Sequence, residues 1–371
     1  MKRALSLLLA ALLLFLTACG SNVPVPSPSE TPDPSGSPAP SETVSPEPTE
    51  TLPTESLPPE PEFVNPLTGV ETDRDISGQK PVAIMLNNLK QAMPQQGNGQ
   101  ADIIYEVLAE GGITRMVGIY QDPSGLGLVG SIRSARLYYY ELALGHDAVF
   151  IHAGGSPEFY DTRDQWGLST VDGVNGYYAS ASVGMFWRDR ERYGDTYYAY
   201  EHSLLSSGEA ITTILGRRGV LGEHTEGYEY QMFFTDNGTP DGGQSALTVT
   251  VPYSNYKTGV FRYHEDDGLY YVEQYGTAYI DGNDDSQVAV TNLLVLRTQC
   301  TVVDDAGRLS VDLTSGEGWF ACGGQIIPIT WEKGGRDQQL RYYTADGQPL
   351  TLGRGKSYVC IIPLTREITV E

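Results

Sequence analysis

The stretch from Ser21 to Glu62 holds thirteen of the chain's 23 prolines and eight acidic residues, with no Lys or Arg. Such a segment cannot bury enough apolar surface to offset the entropy of ordering it, so it is expected to stay a disordered, extended stalk. At about 3.1 Å per residue in polyproline geometry it reaches at most roughly 130 Å. Whatever packs must therefore lie within residues 63–371.

Ahead of the stalk stand Lys2 and Arg3, an uncharged run from Ala4 to Ala18, and Cys19. The run is shorter than the roughly 20 residues of a spanning helix, so residues 1–18 are expected to be a secretory signal peptide. "LTAC" resembles a bacterial lipobox. That resemblance implies a lipidated Cys19, carrying acyl chains such as palmitate, and a lipid anchor in the cell membrane facing the extracytoplasmic side. The chain's formal charge is −23, which argues against nucleic acid or an anionic membrane surface as partner. Any anion site has to be local.

Up to Glu223 the body alternates apolar runs with capped helical stretches. From Tyr228 onward, short runs rich in Tyr, Val and Thr are separated by "DNG", "DDG", "DAG" and "ADG", the punctuation of hairpins. The expected fold is an α/β or α+β N-terminal domain with a mixed sheet over 63–224, plus a smaller β-rich C-terminal domain over 225–371. Ser206 with Glu209 fits a capping box for a helix ending near Arg217, Arg218 and Gly219. Ser156, Pro157 and Glu158 read as an N-cap, an N1 proline and an acidic first turn, which makes Ser156 a cap rather than a nucleophile.

In "EVLAEGGITRM" the pair Gly111–Gly112 supplies a hairpin turn, and a register placing Leu108 opposite Arg115 puts Glu106, Glu110 and Arg115 on one side. A helix expected to run from near Ser134 to Gly145 has Arg133 and Arg136 at its positive end, where the macrodipole disfavours cations. Two compensations are open: the carboxylates of Glu106 and Glu110, or a bound anion that also takes the helix's free N–H groups. "DAVFIHAGG" reads as a strand ending at His152 before Gly154 and Gly155, the kind of place where α/β sheets gather ligands. Asp189, Arg190 and His202 would join if their segment folds over this constellation.

Other matches lack their context. "SGQK" at Ser77–Lys80 is followed by Pro81, which disfavours the helical turn SxxK needs, and "KTG" at Lys257–Gly259 has no SDN before it. "DGNDD" at Asp281–Asp285 lacks the glycine and glutamate of an EF-hand. Cys300, Cys322 and Cys360 have no metal-ligand spacing, so buried thiols or one disulfide both fit. No pattern calls for a metal or cofactor.

"NPLTGV", "KPVAIMLNN", "QADIIYEVLAEGGITRMVGIYQ", "SIRSAR", "FIHAGGSP" and "YEHSL", with "VAVTNLLVL", "DLTSGEGWF", "PITWEKG" and "GRGKSYVCIIP", resemble the YerB-like family of bacterial lipoproteins. The resemblance spans about Asn65 to Pro363. It implies two domains of unknown function on a lipid anchor and supplies no reaction. The reading of the residues is a binder of an anionic or carboxylate-bearing cell-wall component or envelope protein through Arg115, Arg133, Ser134, Arg136, Gly154, Gly155, Asp189, Arg190 and His202. The alternatives are an envelope hydrolase or transferase using Glu106, Glu110 and His152, and a structural or assembly lipoprotein without a small ligand.

Overall fold

The computed structural model describes residues 62–190 and 200–371. The expected signal peptide, Cys19 and the stalk up to residue 61 lie outside the described residues. The described residues form one compact unit. Its main sheet is mixed and built from β1 (Val82–Asn87), β2 (Ile103–Leu108), β3 (Thr114–Tyr120), β4 (Val149–His152), β5 (Val171–Asp172), β6 (Gln244–Ser245), β7 (Asn292–Thr298), β8 (Ser315–Cys322), β9 (Gln325–Lys333), β10 (Leu340–Tyr343) and β11 (Ser357–Pro363). The spatial order is β6-β9-β8-β7-β11-β2-β3-β1-β4-β5, with β10 also paired to β9.

The central strands read as near-continuous apolar runs because both their faces are covered. Every residue of β1 and β3 is buried. On one face lies a second sheet of Thr248–Pro252, Thr258–His264 and Leu269–Gln274 with shorter edge strands, and Val251, Phe261 and Val272 join Ile104 and Met116 in one core. The other face packs the three tyrosines Tyr138–Tyr140 against Ile103, Tyr105 and Val107.

Among the helices whose residues are all described, α1 (Leu137–Gly145), α2 (Pro157–Gln165) and α3 (Gly208–Arg217) flank the sheet. Ser156 caps α2 through the Phe159 N–H at 3.2 Å, as its sequence implies. The α3 cap is one residue later than expected, because Ser207 accepts from the Ala210 N–H while the Ser206 hydroxyl bonds the Met185 carbonyl. The first helix begins at Leu137 and not near Ser134. Residues 133–135 are held instead as an extended segment, with Ala135 N–H bonded to the Gly154 carbonyl and Arg133 N–H to the Met85 carbonyl.

The largest departure is the β2–β3 register. Leu108 pairs with Thr114, Val107 with Arg115 and Glu106 with Met116, so the loop spans five residues, Ala109 to Ile113, and not the two glycines alone. A shift of one residue turns every side chain to the opposite face. Glu106 therefore points to the side of Met116, and Arg115 to the side of Tyr139. The expectation that Glu106, Glu110 and Arg115 share one side is wrong for Glu106.

Strand β11 lies parallel between β2 and β7, pairing Ile103 and Asn292 to the same Ser357. The last main-sheet strand to emerge in the chain thus closes a gap between the two sequence halves. A chain stopping after Lys356 leaves β2 and β7 with open edges inside a core. It is expected to lose its cooperative thermal transition and to be digested rapidly by trypsin; retention of a cooperative transition, read by circular dichroism, would contradict this architecture.

Candidate functional site

Arg115, Arg133 and Arg136 converge as the sequence implies, but around Glu110 and Glu201. The five-residue turn bends Glu110 back over the ribbon, where Arg136 Nε donates to its Oε1 and Arg115 Nη2 stands 3.2 Å from its Oε2. Arg133 Nη1 reaches the Glu201 carbonyl at 3.0 Å and its carboxylate at 3.4 Å. Arg115 Nη1 lies 3.4 Å from the Ser134 carbonyl, and the Ser134 hydroxyl is turned to the Ala153 carbonyl at 3.0 Å. Arg136 is the N-cap residue of α1, gives it no side-chain cap bond, and the first turn has no acidic residue. Of the two compensations open in the sequence, Glu110 supplies the first.

Burial raises the Glu110 carboxyl, but Arg115 and Arg136 outweigh it and hold the group below the usual carboxylate range. Burial lowers the Arg115 and Arg133 guanidinium values; Arg136 adds to this at Arg115, while Glu201 opposes it at Arg133. Among the described residues, three guanidiniums against two carboxylates leave an excess of one positive charge. The Nε donors of Arg115 and Arg133 are buried and have no hydrogen-bond partner among the described residues.

His202 joins this cluster: its Nδ1 is 2.9 Å from Asn87 Nδ2, which also donates to Ser131 Oγ at 3.2 Å. Burial and then Arg133 push its pKa down. Asp189 is half-buried and its backbone N–H bonds the Ser203 carbonyl, whereas Arg190 is exposed at the end of that segment. Glu201 and Asn87 carried no signal of their own in the sequence, although Glu201 directly precedes His202.

His152 does not line this site. It is fully buried, stacked on Phe150 and edge-on to Phe159. One ring nitrogen lies 2.8 Å from the Gly154 carbonyl and the other 2.9 Å from Thr170 Oγ1. Burial pushes its pKa down although Asp172 pulls the other way. The glycine backbone is likewise used internally. Gly154 N–H donates to Asp172 Oδ1 at 3.0 Å, and a side-chain carbon on Gly155 would sit 2.4 Å from the Phe159 ring. Close packing against Phe159 thus requires glycine at 155, while Gly154 takes a positive φ of 75°.

Glu106 is also fully buried. It accepts from Asn88 Nδ2 at 2.7 Å, Thr114 Oγ1 at 2.6 Å, Gln274 Nε2 at 3.1 Å and Tyr358 OH at 2.5 Å, and pairs with the buried Lys257 Nζ at 3.5 Å. Glu106 and Glu110 are thus no acid/base pair. The "KTG" lysine, set aside in the sequence for want of context, is the cation of the core. Ser77 and Lys80 likewise form no catalytic pair, since Lys80 Nζ binds Asp147 at 2.8 Å. Asp281 accepts from the N–H groups of Gly97 and Gly99 and so braces a loop. Cys300, Cys322 and Cys360 are free thiols. Among the described residues no group of three or more His, Cys, Asp or Glu stands close enough to hold a metal ion, and no helix is long and apolar enough to cross a membrane.

Replacing Glu110 with Gln leaves Arg115 buried beside a neutral group. The loss is expected to be about 1–3 kcal/mol at pH 7, between the values for exposed pairs and for breaking fully buried ones. A carboxyl whose folded pKa is lowered contributes stability above its unfolded value and loses it as pH falls through the folded one. The difference between wild type and Glu110→Gln in urea unfolding should therefore close below the ordinary 4.5. A gap independent of pH would exclude the ion pair as its cause.

Residues 67–219 match the N-terminal domain, and residues 249–359 the C-terminal domain, of a protein of unknown function (DUF3048). The chain is 30% identical to "Putative lipoprotein YerB" of Bacillus subtilis (strain 168) over 304 residues, 80% of this chain and 86% of that protein. The crystal structure of the Bacillus subtilis YerB protein superposes with a TM-score of 0.70 at 26% identity, covering 83% of this chain and 99% of that one. Matching 86% of that relative at 30% identity, and carrying both of these domains, this chain belongs to the YerB-like lipoprotein family.

Proposed function

We propose that the protein is anchored by lipidated Cys19 on the extracytoplasmic side of the membrane and that its body binds a carboxylate-bearing or otherwise anionic envelope ligand at Arg115, Arg133 and Arg136. The observation that carries this reading is the pair of buried guanidinium Nε donors that find no partner among the described residues, beside a helix start without a side-chain cap. Buried donors left unpaired cost about 1–3 kcal/mol each, and an oxyanion relieves that cost. The excess positive charge is local in a chain of net charge −23, so it selects for anions at short range.

A hydrolase or transferase built on Glu106, Glu110 and His152 has less support. Two of the three are sealed from solvent with their polar atoms engaged, and Glu110 is held by two arginines below the range of an effective base. A structural or assembly role without small ligand is favoured by one observation, the double ion pair of Glu110.

The two readings separate in a capture assay with labelled, soluble cell-wall fragments bearing free carboxylates. Arg133 is the residue to remove, because its partner Glu201 is 43% exposed and is not left as a buried charge. Arg133→Ala is expected to weaken capture by about tenfold or more, the worth of one charge-assisted hydrogen bond, with an unchanged melting temperature. Equal capture by wild type and variant would leave the structural reading.

A further inference from the structure

On the face of the ribbon opposite Arg115, a lysine, a glutamine and a glutamate meet in the buried core. Lys257 directly precedes the strand Thr258–His264, and Gln274 ends the neighbouring strand Leu269–Gln274. Gly259 is the register partner of Gln274, so Lys257 is its diagonal neighbour on the same face. Lys257, Gln274 and Glu106 are all fully buried. Lys257 Nζ donates to the Gln274 side-chain oxygen, while the Gln274 side-chain nitrogen lies 3.1 Å from Glu106 Oε2 and 3.1 Å from Tyr358 OH. Glu106 Oε1 is 3.5 Å from the same Nζ. The Tyr275 ring covers the amine at 4.3 Å, and buried Phe261, Met116 and Cys360 belong to the surrounding core.

An amine, a carboxamide and a carboxylate in mutual contact, with water excluded, are the components of an amide-forming reaction. From this juxtaposition we infer that Lys257 and Gln274 become joined by a side-chain amide bond, formed within the folded chain with Glu106 as the proton carrier. Glu106 takes one proton from the Lys257 ammonium. The freed amine attacks Cδ of Gln274, and the bond from Cδ to the carboxamide nitrogen breaks. That nitrogen leaves as ammonia with a second proton from the attacking nitrogen, and the third stays on the new amide. No oxidant or co-reactant enters.

Two physical features favour the product. Burial lowers the Lys257 pKa, against the pull of Glu106, and so favours the nucleophilic free amine. The reaction also replaces two buried charges with a neutral amide and a neutral carboxylic acid, removing a desolvation cost that such a pair otherwise carries. Preorganisation supplies the rate, because fixed neighbours react as if at very high concentration. The bond would staple two adjacent strands of the second sheet and slow the opening of a domain exposed outside the cell.

The test is mass spectrometry of the purified full-length protein after denaturation and trypsin digestion. The expected result is a branched peptide joining Lys257 to Gln274, lighter by one ammonia than its two parts, with cleavage after Lys257 almost entirely lost. Full cleavage after Lys257, with both peptides at their sequence masses, would overturn the inference and leave a non-covalent buried ion pair. Glu106→Gln is expected to abolish the branched peptide, and the wild-type measurement decides the matter even if that variant does not fold. The ligand-capture assay on Arg133→Ala is independent of this result.

Discussion

A carboxylate with no access to water imposes the strongest demand on this fold. Glu106 sits in the middle of β2, and it is kept there only by surrounding it with partners drawn from distant parts of the chain. Asn88 and Thr114 come from the N-terminal half, and Lys257, Gln274 and Tyr358 from the C-terminal half. Loss of either group would strand a charge in low dielectric, at a cost of several kcal/mol. The same requirement explains why the β-rich half covers that face of the main sheet instead of standing apart, and why β11, which carries Tyr358, is inserted beside β2.

The opposite face solves a different problem. Helix α1 is buried on most sides, and its tyrosines reach back to the ribbon: Tyr139 OH donates to the Val107 carbonyl at 2.8 Å and Tyr138 OH to the Leu108 carbonyl at 3.0 Å. This clamps the helix start against the glycine turn and brings Arg136 to Glu110. The arginine cluster is thus a product of how α1 is seated. Its positive excess, and the donors it leaves unused, arise because one turn carboxylate serves two guanidiniums while the third arginine finds Glu201 near the surface.

Much of this was legible residue by residue where the signal is local. The α2 cap at Ser156 and the strand ending on His152 each follow from backbone chemistry within a few positions, whereas the glycines at 111–112 marked a turn but not its five-residue length. The start of α1 was not legible, because residues 133–135 are held by bonds to Met85 and Gly154 that sequence spacing does not reveal. Nor was the role of Lys257: the sequence offers it only in a "KTG" match without context, and only the packing of Tyr275 and Glu106 over it makes it a core residue. His152 was placed correctly at its strand end and given the wrong surroundings, since Phe150 of its own strand, Phe159 of α2 and Thr170 just before β5 enclose it.

By itself, the sequence determined the expectation of a proline-rich stalk ahead of the packed body, the division of that body into a helix-bearing half and a hairpin-rich half, and the presence of arginines in need of negative partners. Proline content, apolar periodicity and charge act within a short window, so they can be read without coordinates. Only the tertiary structure decided which carboxylate those arginines meet. In a strand the side-chain direction alternates at every residue, and the single-residue shift that separated Glu106 from Arg115 is set by pairing across the whole sheet, not by the turn that joins the two strands.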